Sequence, residues 1–103
     1  MSDRGTPDAT TGLRPSVHRF ALVMEQKLQM NDHIKPHWRV TGISALYAHM
    51  VQEIQELLFE LDSSVGTPGS IALEAADIAC LAMMIADVAG GLKDGKATGA
   101  TAS

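Results

Sequence analysis

One cysteine, one tryptophan, one tyrosine and two phenylalanines are spread over 103 residues. Each shortage excludes something. A lone Cys80 can neither close an intrachain disulfide nor supply a thiolate zinc cluster, and a reducing cytoplasm is its expected setting. Aromatics make up only 4% of the chain, so any core is aliphatic. Without β-branched and aromatic enrichment the composition favours helices over a β-sandwich. Basic runs are missing and the net charge is −4, which argues against a nucleic-acid surface built on phosphate contacts. Long uncharged apolar runs are missing too. The most apolar window, Ile71–Val88, contains Glu74, Asp77 and Asp87, so no membrane span is expected. The opening "MSDRGTPDATTGLRP" has no apolar centre of the kind a secretory signal needs. Strand alternation and internal repeats are also absent.

What is present is helical periodicity between two polar ends. Residues 1–15 are rich in Thr, Gly, Asp and Pro and read as a flexible tail. Residues 92–103 read the same way, which leaves 76 residues, 16–91, for one domain. Ser16 is a candidate N-cap for a first helix whose stripe is Val17, Phe20, Ala21, Met24 and Leu28. That helix should end near Asn31, because Pro36 disfavours helical backbone at Lys35 and Gly42 is a further breaker. A second helix is expected over Ile43–Leu61, with apolar residues from Ile43 through Leu61 on one face. "DSSVGTPGS" is the clearest loop, Ser70 is a candidate cap for a third helix over Ile71–Val88, and Gly90–Gly91 stops it. The expected class is all-α, about three helices per chain. So small a core leaves apolar surface uncovered, and oligomerisation is the usual remedy.

Acids interrupt the apolar faces. Glu53 and Glu56 are three residues apart on the edge of the second helix's stripe, with Glu60 beyond them. Glu74 and Asp77 repeat the spacing at the apolar face of the third helix. Antiparallel packing through the short loop would bring the two pairs together. Four carboxylates in a partly dry site cannot all stay ionised unaided. A bound divalent cation removes the conflict, and an all-oxygen ligand set suits Mg²⁺ or Mn²⁺. An acidic pair alone is more often a solvated helix face, and Glu60 reads as that. Glu74 also has a plain reading, as an acid near a helix N-terminus. Two matched pairs, one inside an apolar stripe, favour a site.

"EIQE" (Glu53–Glu56) and "EAAD" (Glu74–Asp77), with 17 residues between them, resemble the E-x-x-E…E-x-x-D signature of the MazG-like all-α nucleoside triphosphate pyrophosphohydrolases. Upstream, "KLQMNDHIKPHW" (Lys27–Trp38) is similar to the N-x-x-K…W stretch that precedes the signature in many small members. The resemblance spans about Phe20 to Gly90. It implies a MazG-like helical bundle completed by a homodimer or homotetramer. It also implies Mg²⁺-dependent cleavage of a (d)NTP between the α and β phosphates, giving a (d)NMP and pyrophosphate. Glu53, Glu56, Glu74 and Asp77 would then bind metal, and Glu53 and Glu56 would be the catalytic pair, with Glu56 the first choice of general base. The short chain is similar to the phage MazZ branch, which acts on guanine (deoxy)nucleotides in the host cytoplasm. Many members carry Asn three residues after the last acid, where this chain has Cys80.

Substrate contacts fall in the connector. Lys35 and then Arg39 are the candidate phosphate cations, and Lys93 and Lys96 are weaker ones. Trp38 could stack on a base, Asn31 could read a base edge or cap the first helix, and His33 and His37 could hydrogen-bond substrate. His49, four residues before Glu53, is a candidate support for that carboxylate. Two other classes compete. A di-iron bundle needs Glu-x-x-His on two helices, which this sequence lacks. A non-catalytic helical interaction module with an acidic interface is the main alternative to an enzyme.

Overall fold

A computed structural model of the chain describes residues 6–32, 38–92 and 95. Three helices carry it: α1 (Pro15–Asn31), α2 (Ile43–Asp62) and α3 (Pro68–Val88). A short 3-10 turn, Trp38–Val40, stands between α1 and α2. No strand occurs among the described residues. The all-α expectation holds, and the three helices lie within a residue or a turn of their expected bounds.

The helix starts differ from the sequence reading. Pro15 opens α1 at a position whose N–H would be unpaired anyway, with Arg14 as the cap residue and no side-chain cap. Ser16 therefore sits inside the first turn. Thr67, not Ser70, caps α3. Its hydroxyl accepts from the Ser70 N–H at 3.0 Å while the Ser70 hydroxyl accepts from the Thr67 N–H at 2.9 Å. This reciprocal box with Pro68 at the first position starts α3 three residues earlier than expected. Glu74 thus lies beyond the first turn, where the helix dipole does little for it. At the other end Gly90 takes φ +83°, and the Gly90 and Gly91 N–H groups close onto the Asp87 and Ala86 carbonyls. Ahead of α1, in the stretch read as a tail, the Asp8 carboxylate accepts from the Thr10 and Thr11 N–H groups. Those bonds hold its carboxyl below the usual range.

α3 is the central element. It packs against α2, α1 and the 3-10 turn, whereas α1 and α2 do not pack on each other. That place explains its sequence, since a helix apolar nearly all round has to be covered on several sides. Glu60 meets Ser70 near the loop, and Glu53 and Glu56 meet Glu74 further on, so α2 and α3 run antiparallel. Their connection is tight at Gly66, where an added Cβ would stand 2.5 Å from the Glu60 carbonyl oxygen.

The core is thin. Among the described residues only Leu46, Ala76, Cys80 and Leu81 are buried hydrophobics, and no large side chain is fully enclosed. Ile43, Tyr47, Ile54, Leu58 and Leu61, which the sequence assigns to α2's inward stripe, are exposed. α2 is apolar over an arc wider than one partner helix can cover. Its Leu46 edge meets α3, and its Ile54–Leu58–Leu61 edge meets solvent.

Candidate metal centre and adjoining cavity

The turn spacing of α2 puts Glu53 and Glu56 side by side, and α3 brings Glu74 against them. One carboxylate oxygen from each of the three lies within 4.8 Å of the other two. Oxygen ligands bind Mg²⁺ or Ca²⁺ at roughly 2.0–2.6 Å, so ligands on one ion stand about 3–5 Å apart. The triad meets that requirement. Glu53 and Glu74 are half-buried, and Glu56 is exposed, which leaves an open side.

Glu74 is the strained member. Its Oε1 is buried without a hydrogen-bond partner. Burial pushes its carboxyl above the usual range, and the negative charges of Glu53, Glu56 and Asp77 push the same way against the opposing charge of Lys27. An unpartnered buried carboxylate oxygen costs about 1–3 kcal/mol or more. A cation among the three carboxylates would satisfy that oxygen and compensate the charge. On this test the residues fit a hard divalent ion.

Asp77, the fourth expected ligand, stands outside the triad. Its Oδ2 is 3.2 Å from Lys27 Nζ, and both side chains are largely covered. α1 supplies this cation, packing on α3 without touching α2. The sequence reading gave Lys27 no role. A signal was available, because Lys27 comes seven residues after Phe20, on the same edge of α1's apolar stripe. His49 is where its spacing put it, with Nε2 3.2 Å from Glu53 Oε2. Glu60, read as solvated, instead accepts from the Ser70 hydroxyl at 2.8 Å and ties the start of α3 to α2.

Because α1 and α2 flank α3 without meeting, a cavity of about 700 Å³ opens between them. Lys27, Trp38, His49, Glu53, Asp77 and Cys80 contribute to its wall, along with apolar Leu28, Leu46, Leu81 and Met84. Glu53 therefore belongs to both the triad and the cavity. Glu56 and Glu74 open on a second hollow, lined also by Gln52, Gln55, Phe59 and Glu60. The triad is thus reached from two sides. Cys80 is buried as a small hydrophobe, its thiol donating to the Met24 carbonyl at 3.5 Å. Burial raises its thiol above the usual value, the state of an inert cysteine.

The connector is only partly in view. His33, Lys35 and His37 lie outside the described residues, as do Lys93 and Lys96. Asn31 lines the cavity, and its amide donates to the Lys27 carbonyl one turn back. Trp38 also lines the cavity, and its indole N–H donates to Asp87 Oδ2 at 2.9 Å. Arg39 Nε reaches the same oxygen at 3.1 Å, with its side chain mostly in solvent. Asp87 is the second residue the sequence reading left without a role. Its signal was an acid in the last turn of an apolar helix, where the dipole disfavours it. Compared with family models, curated proteins and solved structures, the chain finds no match.

Proposed function

We propose that this chain is a Mg²⁺-dependent nucleoside triphosphate pyrophosphohydrolase of MazG-like type, with Mn²⁺ as an alternative ion. One observation carries the reading: Glu53, Glu56 and Glu74 each bring a carboxylate oxygen within 4.8 Å of the others, and Glu74 holds a buried oxygen without a hydrogen-bond partner, at the edge of a cavity of about 700 Å³. Glu53, Glu56 and Glu74 would hold the ion, and Asp77 would join them if Lys27 let it go. The ion, when bound, would polarise phosphoryl oxygens and lower the pKa of a water.

The chain's own residues divide the remaining work. His49 steadies the Glu53 carboxylate from one turn away. Glu56, the exposed member, is free to accept the proton of the attacking water. Lys27 puts a positive charge on the cavity wall, where a phosphate can use it. The apolar wall of Leu46, Leu81 and Met84 with Trp38 suits a planar base better than a second charged group. A guanine base is the preferred candidate from the MazZ-like length. The exposed α2 edge of Ile54, Leu58 and Leu61 supports a homodimer or homotetramer.

The test is a panel of NTPs and dNTPs with Mg²⁺, scored for products. Monophosphate and pyrophosphate are expected, and release of orthophosphate alone would contradict α–β cleavage. A second reading, a non-catalytic interaction module, is favoured by the same exposed α2 edge. It predicts a melting temperature that neither EDTA nor millimolar Mg²⁺ moves.

A further inference from the structure

The 3-10 turn Trp38–Val40 packs on α3 and on neither other helix. Two bonds to that helix converge on one atom. Asp87 Oδ2 accepts from Trp38 Nε1 at 2.9 Å and from Arg39 Nε at 3.1 Å, across 49 and 48 residues of sequence. The Asp87 side chain is only 19% exposed, so these donors satisfy a carboxylate that water reaches poorly. A shared charged acceptor makes both bonds stronger than neutral ones. Asp87 itself is not in the cavity wall, but Trp38 is. An indole tied by its N–H is restricted about its side-chain torsions, so the part of Trp38 that lines the cavity is held in place.

From this we infer that Asp87 is a positioning residue for ligand binding. By fixing Trp38, it sets the affinity of the cavity for the planar base of a nucleotide. The inference rests on the nucleotide reading above for its ligand, but not for its geometry. Trp38 is the chain's only tryptophan, so its fluorescence reports the clamp directly, without any ligand.

The experiment compares the full-length wild type with Asp87→Leu, which is a good helix former without an acceptor, and with Asp87→Asn, which keeps both the shape and an acceptor. Without nucleotide, acrylamide should quench Trp38 about twofold or more better in Asp87→Leu than in wild type, while Asp87→Asn stays near wild type. With dGTP and Mg²⁺, Asp87→Leu should raise KM about tenfold and leave kcat within about twofold, as expected when binding but not the reacting centre is altered. If Asp87→Leu loses its helical circular dichroism, Asp87→Ala, which is smaller and also lacks an acceptor, takes its place. Equal quenching in wild type and the acceptor-free variant overturns the clamp. Increased quenching with unchanged KM overturns its role in binding. A wild type that neither turns over nor shows a Trp38 response to dGTP overturns the nucleotide reading and the ligand half of this inference, while the quenching comparison still decides the clamp.

Discussion

Glu74 holds its carboxylate under two demands that act together, burial and the company of like charges. Both favour the protonated form. Without metal, the stability this group contributes is complete below the ordinary carboxylate range. It is lost as pH rises through the raised folded value. Glu74→Gln has no proton to lose, so its melting temperature in EDTA should overtake that of wild type between about pH 4 and neutrality. A constant difference across that range would count against the raised carboxyl. In Mg²⁺ the order should invert. An ion at 100 times its dissociation constant stabilises by about 2.7 kcal/mol, and Glu74→Gln should forgo most of that. Its turnover should fall about 100-fold or more, as when a preorganised charge is removed from a reacting centre. Lys27→Met offers a contrast. It frees Asp77 to join the triad, so metal should bind more tightly by calorimetry even as KM for the nucleotide rises.

At the scale of elements, the α2–α3 loop sets the register that brings Glu74 beside Glu53 and Glu56. Thr67 closes the α3 cap, and Thr67→Ala should cost about 1 kcal/mol in a urea melt. Gly66→Ala should cost more, because the new methyl would meet the Glu60 carbonyl, which is backbone and cannot swing aside. If the loop register matters to the site, the alanine at Gly66 should also weaken Mg²⁺ binding, whereas a purely local strain would leave it unchanged. Much of this level was legible in the sequence. The helical spans followed from 3.6-residue periodicity and from Pro and Gly breakers. The cap was misplaced because both Thr67 and Ser70 are good cap residues, and the choice depends on Pro68 fitting the first helical position.

For the whole molecule, the unresolved surface is α2's outer edge. Ile54, Leu58 and Leu61 are 45–58% exposed, and the proposed homo-oligomer would cover them. Leu58→Glu, which adds a charge there and touches neither triad nor cavity, should lower the mass measured by sedimentation equilibrium. An unchanged mass would remove this edge as the subunit contact. No helix among the described residues is long and apolar enough to cross a membrane.

By itself the sequence determined the helices and three members of the acidic cluster, because both depend on short-range periodicity. Glu53 and Glu56 adjoin by turn spacing, and the nine-residue stretch "DSSVGTPGS" between two apolar-faced helices admits little but an antiparallel hairpin. Tertiary structure decided what long-range packing alone can decide. It packed α1 on α3 clear of α2, opened the cavity between them, and gave Asp77 to Lys27 instead of to the triad. It also joined Trp38 and Arg39 to Asp87. Those pairs are separated by about fifty residues, and no local period relates residues that meet only because two helices share a third.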